Sequence, residues 1–214
     1  MSCEFSPAHY RELLDAAKAG GYRFAGFERD PQAGDLFLRH DVDLSLAAAV
    51  AMAELEAELG VRSTWFLMTR SVFYNLRSKE GEHALARLRE CGGWIAHHAV
   101  WPEVDLDDTA GFERVVAWHN PAAEYMFEPV DGAANVMAPP FFDADHYRSD
   151  SNQHWRNGCP HDELAAGAFE WLQLLVHPEI WMYDGGTMGD TMRSFLDADR
   201  EARLEHLRED RIDL

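Results

Sequence analysis

The stretch Asp35-Leu36-Phe37-Leu38-Arg39-His40-Asp41-Val42-Asp43 decides how the rest of the chain is read. Its apolar run, Leu36 to Leu38, suits a buried strand, and two carboxylates follow it one residue apart. A strand alternates its faces, so Asp41 and Asp43 point the same way. Two like charges aimed at one place repel unless a cation or a shared proton absorbs them. The other reading is an acidic turn that caps the following helix.

On either side of this stretch, helical and extended patterns alternate. Residues 7–20 read as a helix, with Pro7 in its first turn, an apolar face of Tyr10, Leu13, Leu14 and Ala17, and Gly20-Gly21 at its end. Residues 22–27 alternate as a first strand. An Ala-, Leu- and Glu-rich run over 46–59 with Gly60 as its stop predicts a helix. A buried strand over 64–68, a helix over 80–90 closed by Gly92-Gly93, and a short strand over 94–98 follow. After an acidic loop over 100–109 come strands over 112–118 and 134–137, then a long polar-aromatic loop over 141–160. A short helix over 162–170 leads into a strong strand over 171–176. His177-Pro178 ends that strand, since the residue before proline is kept out of the helical region. A final amphipathic helix covers 191–207. The alternation predicts a parallel sheet or barrel.

Composition narrows the function classes. The chain has 214 residues, 47% of them apolar, which suits one domain over 1–214 with a real core. A formal charge of -19 argues against a nucleic-acid or anionic-membrane partner and favours a neutral or cationic small molecule or glycan. No apolar run approaches the ~18 residues of a membrane span. Cys3, Cys91 and Cys159 are odd in number and widely spaced, with no C-x-x-C, so neither a thiolate zinc knuckle nor a disulfide framework is implied. Met1 to Tyr10 shows no basic region followed by an apolar run, so no secretory leader is expected and a cytoplasmic location is.

Four separate apolar strands end in a potential ligand or proton carrier: Leu36 to Leu38 with Asp41 and Asp43, Trp94 to Ala96 with His98, Val115 to Trp118 with His119, and Trp171 to Val176 with His177. In parallel α/β sheets and barrels, sites form at the carboxyl ends of strands. Carboxylate and imidazole together suit zinc or a similar divalent ion. His97 and His98 are neighbours on one strand and face opposite ways, and His98 lies further along the strand's exit. Each histidine also has a plain structural reading, as a packed or turn residue. The run from Tyr147 to Trp155 combines Arg148, Asp150 and Trp155 in a way suited to gripping a sugar, with Trp on a pyranose face and Arg and Asp on polar groups.

These segments, in order, resemble the motifs of the polysaccharide deacetylases, the NodB-like enzymes of carbohydrate esterase family 4. Arg39-His40-Asp41-Val42-Asp43 resembles the first motif, and Gly93-Trp94-Ile95-Ala96-His97-His98 the second. Tyr147-Arg148-Ser149-Asp150-Ser151 with Trp155 is similar to the later Asp/Trp motif that lines the site. Leu174-Leu175-Val176-His177-Pro178 is similar to the last, an apolar strand ending in the catalytic histidine. The resemblance implies a distorted, incomplete (β/α) barrel and a metal-dependent hydrolase that deacetylates an N-acetylated sugar or related amide. It implies Asp41 as general base, Asp43 and His98 as ligands of a divalent ion, zinc being the expected one, and His177 as general acid. The family's second motif carries two histidines four residues apart, whereas the positions required here, 94 and 102, are Trp94 and Pro102. His119 is the candidate for the third ligand. The broken motif and the aromatic loops around Trp101, Tyr125 and Trp155 motivate an alternative, a non-catalytic glycan-binding relative. A phosphoesterase fits less well, because phosphate sites place Arg or Lys close to the metal.

Overall fold

Helix α1 (Pro7–Ala19) opens on Ser6, which accepts a hydrogen bond from His9 N, with Pro7 at its start. A two-residue strand, β1 (Arg23–Phe24), and the long strand β2 (Asp35–Val42) follow. Helix α2 (Leu46–Glu58), strand β3 (Thr64–Leu67), helix α3 (Lys79–Glu90) and strand β4 (Trp94–Ala99) complete the regularly alternating half. Strands β5 (Val115–Trp118), β6 (Ala134–Asn135) and β7 (Tyr147–Ser149) are then joined without α-helices. Helix α4 (His161–Ala165), strand β8 (Leu172–Val176) and helices α5 (Pro178–Met182) and α6 (Met188–Glu209) close the order. This computed structural model describes residues 3–104, 106, 109 and 111–211; parts of the expected acidic loop over 100–109 lie outside them.

The strands form one curled sheet in the order β6-β5-β4-β3-β2-β8-β7, an incomplete barrel in which every pairing is parallel. Strand β1 pairs with Asp35 and Leu36, and β3 with Arg39 to Val42 further along β2. Strands β6 and β7 end the order without pairing with each other. Gln173 reaches across that side from β8, donating to Val136 O at 2.9 Å and Phe141 O at 2.7 Å.

Alternation along each strand sorts the core into two layers. Leu36, Leu38, Val42, Trp65, Leu67, Ile95, Leu172, Leu174 and Val176 pack outward beneath the helices with Tyr10, Leu13 and Met52. Phe37, Phe66, Ala96, Val115 and Ala117 fill the inside with Phe27, Val136 and Phe141. Arg39, Asp41, His98 and Gln173 occupy the inward register and are buried. Gly93 enters β4 so close to Trp65 that an added Cβ would lie 2.5 Å from its ring.

Several expected elements are shorter or different. The expected helix over 162–170 stops at Ala165 because Gly167 takes a left-handed φ of +62° and its N–H folds back to Leu164 O. A strand, β7, lies within the expected loop over 141–160. Pro178 starts α5 instead of preventing a helix: only His177 is held extended, and proline suits the first helical position. Among the described residues, no helix is long and apolar enough to cross a membrane.

Candidate metal and catalytic site

The site stands at the carboxyl ends of β2, β4, β5 and β8. Asp43 lies just past β2, His98 is the fifth residue of β4, and His119 and His177 follow β5 and β8 directly. The capping alternative for the carboxylates fails, because Ser45 caps α2 by accepting from Ala48 N at 3.1 Å.

Three donor atoms converge. Asp43 Oδ1 is 3.0 Å from His98 Nε2 and 3.1 Å from His119 Nδ1, and the two nitrogens are 3.2 Å apart. His98 donates its Nδ1 proton to Ala117 O at 3.0 Å, since a carbonyl can only accept. With Nδ1 engaged there, Nε2 faces a carboxylate oxygen and a second imidazole. A proton on His119 Nδ1, which the Asp43 carboxylate favours, or a cation between the atoms relieves that crowding. Around a zinc with bonds of about 2.0–2.1 Å, tetrahedral donors stand roughly 3.3 Å apart, so the observed triangle fits with small side-chain adjustment. A backbone carbonyl behind one ligating histidine is also a common outer-shell partner. Asp43, His98 and His119 are thus the residues that would hold a divalent ion. His97 faces the other way, against Thr109 and Phe112.

Asp41 sits beneath the triangle, its Oδ2 3.8 Å from His98 Nε2. Arg39, two residues earlier and on the same face, grips it with two parallel bonds, Nε to Oδ1 at 2.7 Å and Nη2 to Oδ2 at 2.6 Å. Arg39 also donates to Gln173 Oε1 at 3.0 Å, which ties the clamp to β8. Burial works against charge on Asp41, but the Arg39 guanidinium outweighs it and holds the carboxyl below its usual range. The sequence carried this signal, since an arginine at i−2 on a strand shares a face with the carboxylate.

His177 is fixed by Asp150, which is fully buried and accepts three bonds: from His177 Nδ1 at 2.6 Å, His177 N at 3.0 Å and Trp181 Nε1 at 2.7 Å. Burial opposes charge on the imidazole, yet Asp150, with smaller contributions from Glu179 and Asp41, raises it to about 10. His177 is therefore protonated at neutral pH. Glu179, not foreseen from the sequence, is buried in α5 with Oε2 unpartnered among the described residues, and burial pushes its carboxyl up to about 8.

The expected sugar-gripping trio is not brought to this mouth. Asp150 spends its acceptors on His177 and Trp181. Arg148 points outward from β7, over the Phe169 ring at 4.6 Å and towards Glu163 at 3.3 Å. Trp155 is buried in the outer layer and donates its indole N–H to Cys3 Sγ at 3.2 Å. Tyr147 takes the inward register instead, close enough to Arg39 and Asp41 for their charges to act on its hydroxyl. No protein-family model, curated protein or solved structure matches the chain.

Proposed function

We propose that the protein is a metal-dependent hydrolase that removes an acetyl group from an N-acetylated sugar or a related small amide. The observation that carries this reading is the convergence of Asp43, His98 and His119 beside a clamped carboxylate, Asp41, and a histidine held protonated by Asp150. The ordered resemblance of four segments to the polysaccharide deacetylases supports it.

Asp43, His98 and His119 would hold a divalent ion, which would supply Lewis-acid polarisation of the amide carbonyl and acidify a water molecule near neutral pH. Asp41 accepts the proton this water loses as it adds to the carbonyl carbon. Because Arg39 makes Asp41 a weak base, that transfer relies on the water being acidified. His177 then donates its proton to the nitrogen as the C–N bond breaks, releasing acetate and a free amine. Asp150 keeps the Nδ1 proton of His177 in place, so Nε2 is the nitrogen that gives. Asp41 has gained a proton and His177 has lost one, and exchange with solvent resets both.

Elemental analysis of the wild type and of His119→Ala, beside acetate release from N-acetylglucosamine oligomers, tests the reading. The expected result is one divalent ion per Asp43 site, lost together with acetate release in the variant. A wild type that releases acetate with no bound metal overturns it. One observation favours a binding role instead: Trp101 stacks on Tyr125 at 5.3 Å and 11°, and the exposed Tyr125 suits a sugar face. Glycan binding with no acetate release from metal-loaded protein would establish that second reading.

A further inference from the structure

A second group of ligand atoms lies on the outer layer, built from parts of the chain that the first site does not use. Cys3 precedes α1, His9 stands in its first turn, and Cys159 precedes α4. Their sulfur and nitrogen atoms all lie within 4.8 Å of one another, with His9 Nε2 3.2 Å from Cys159 Sγ. Around a tetrahedral zinc with Zn–S bonds of about 2.3 Å and Zn–N of about 2.0–2.1 Å, such donors stand roughly 3.5–3.8 Å apart. Small rotations of half-buried side chains bring these atoms to that spacing.

Three further features separate this group from two thiols that merely pack together. His9 Nδ1 lies 2.8 Å from Glu12 Oε2, which fixes the tautomer and leaves the lone pair of Nε2 facing the sulfurs. A carboxylate behind the imidazole is the usual outer partner of a metal-bound histidine. Trp155, with its indole N–H on Cys3 Sγ, supplies a second outer contact. Both cysteines also line a cavity of about 600 Å³, shared with Gln153, His154 and Met188, which gives an ion an entry path and room for an exogenous fourth ligand.

We propose that Cys3, His9 and Cys159 form a second metal site, selective for a borderline-soft divalent ion such as zinc, with Glu12 as the residue that positions His9. Two sulfurs make it softer than the Asp43 site, whose donors are one oxygen and two nitrogens. The same ion would tie the segment before α1 to the segment before α4.

Cobalt titration of the whole chain, purified with its thiols reduced, distinguishes the two sites, because only this one gives thiolate-to-cobalt charge-transfer absorption. The expected result is that absorption in the wild type, lost in Cys159→Ser, and kept in Asp43→Ala, where only this site remains and it saturates at one cobalt per chain. Glu12→Gln alters an exposed side chain and leaves the fold intact, and it should weaken the thiolate-associated binding by about 10–100-fold. The proposal is overturned if the wild type shows no such absorption, if Glu12→Gln leaves the affinity unchanged, or if the cysteines are found as a disulfide that excludes cobalt.

Discussion

His40 and Asp41 are neighbours on one strand, yet they belong to two polar clusters with opposite character. His40 faces outward into a closed network. Glu56 lies 2.7 Å from its Nε2, takes the hydroxyls of Tyr10 and Ser63 as well, and is buried with them. Trp65 stacks on the His40 ring at 4.1 Å. In that network three donors meet one carboxylate, and His40 Nδ1 is left buried without a hydrogen-bond partner among the described residues. On the inward face, Asp43 Oδ1 and His98 Nε2 are set 3.0 Å apart, with His119 Nδ1 3.1 Å from the same oxygen. Side-chain exposure rises from 5% at Asp41 to 19% at Asp43 and 29% at His119, so the inward cluster leads to solvent while the outward one does not. Both places pair a carboxylate with imidazole. What separates the two clusters is access: the inward one opens to solvent, and the outward one is buried.

The largest effect should come from emptying the inward cluster. His98→Ala or a strong chelator should cut acetate release by more than about 10³-fold, since a metal ion supplies several kcal/mol of transition-state stabilisation. Activity surviving both treatments would make the inward cluster as inert as the outward one. Asp41→Asn keeps the ligands and should cost about 10²–10⁴-fold in kcat with bound metal unchanged by elemental analysis. Full turnover by that variant would remove the base role from Asp41. Asp150→Asn probes the other proton. The negative Asp150 raises His177, and the step needs the protonated imidazole, so activity is present below the pKa and lost as pH rises through it. Removing the charge should move the alkaline limb of kcat/KM downward by about 1–3 units. A profile that stays in place would mean that His177 is not the donor.

What the sequence made legible follows from period and position. The run through Asp43 could be read because alternation assigns Asp41 and Asp43 one face, and because the strand-end rule then points to His98, His119 and His177. His119 is reachable by that rule together with the family resemblance, since Trp94 and Pro102 break the familiar histidine spacing. The trio of Arg148, Asp150 and Trp155 is dispersed in the fold, for a physical reason. A three-residue strand such as Tyr147–Ser149 is too short to display a period, so nothing in the sequence separates the outward Arg148 from the inward Tyr147. Asp150 carries a charge that looks available, but its burial is set by Trp181 on the helix after β8. Glu179 and the Cys3–His9–Cys159 group come together only through tertiary packing of distant segments. No local spacing announces them.

Two smaller effects test the outward side of the comparison. Glu56→Gln removes the charge that His40, Tyr10 and Ser63 share. It should lower stability by about 1.5–3 kcal/mol in urea unfolding, with metal content unchanged. Loss of metal in that variant would show that the two faces of β2 are coupled.

Arg148→Ala gives the smallest change. Its guanidinium lies over Phe169 and reaches the half-exposed Glu163, so the contact is worth about 0.5–1.5 kcal/mol. KM for an acetylated oligosaccharide should not move, because the side chain points away from the mouth. A KM raised tenfold or more at unchanged stability would return Arg148 to the substrate. The outward register of β7 would then have to reverse when sugar binds, exchanging Arg148 for Tyr147 beside the Arg39–Asp41 clamp.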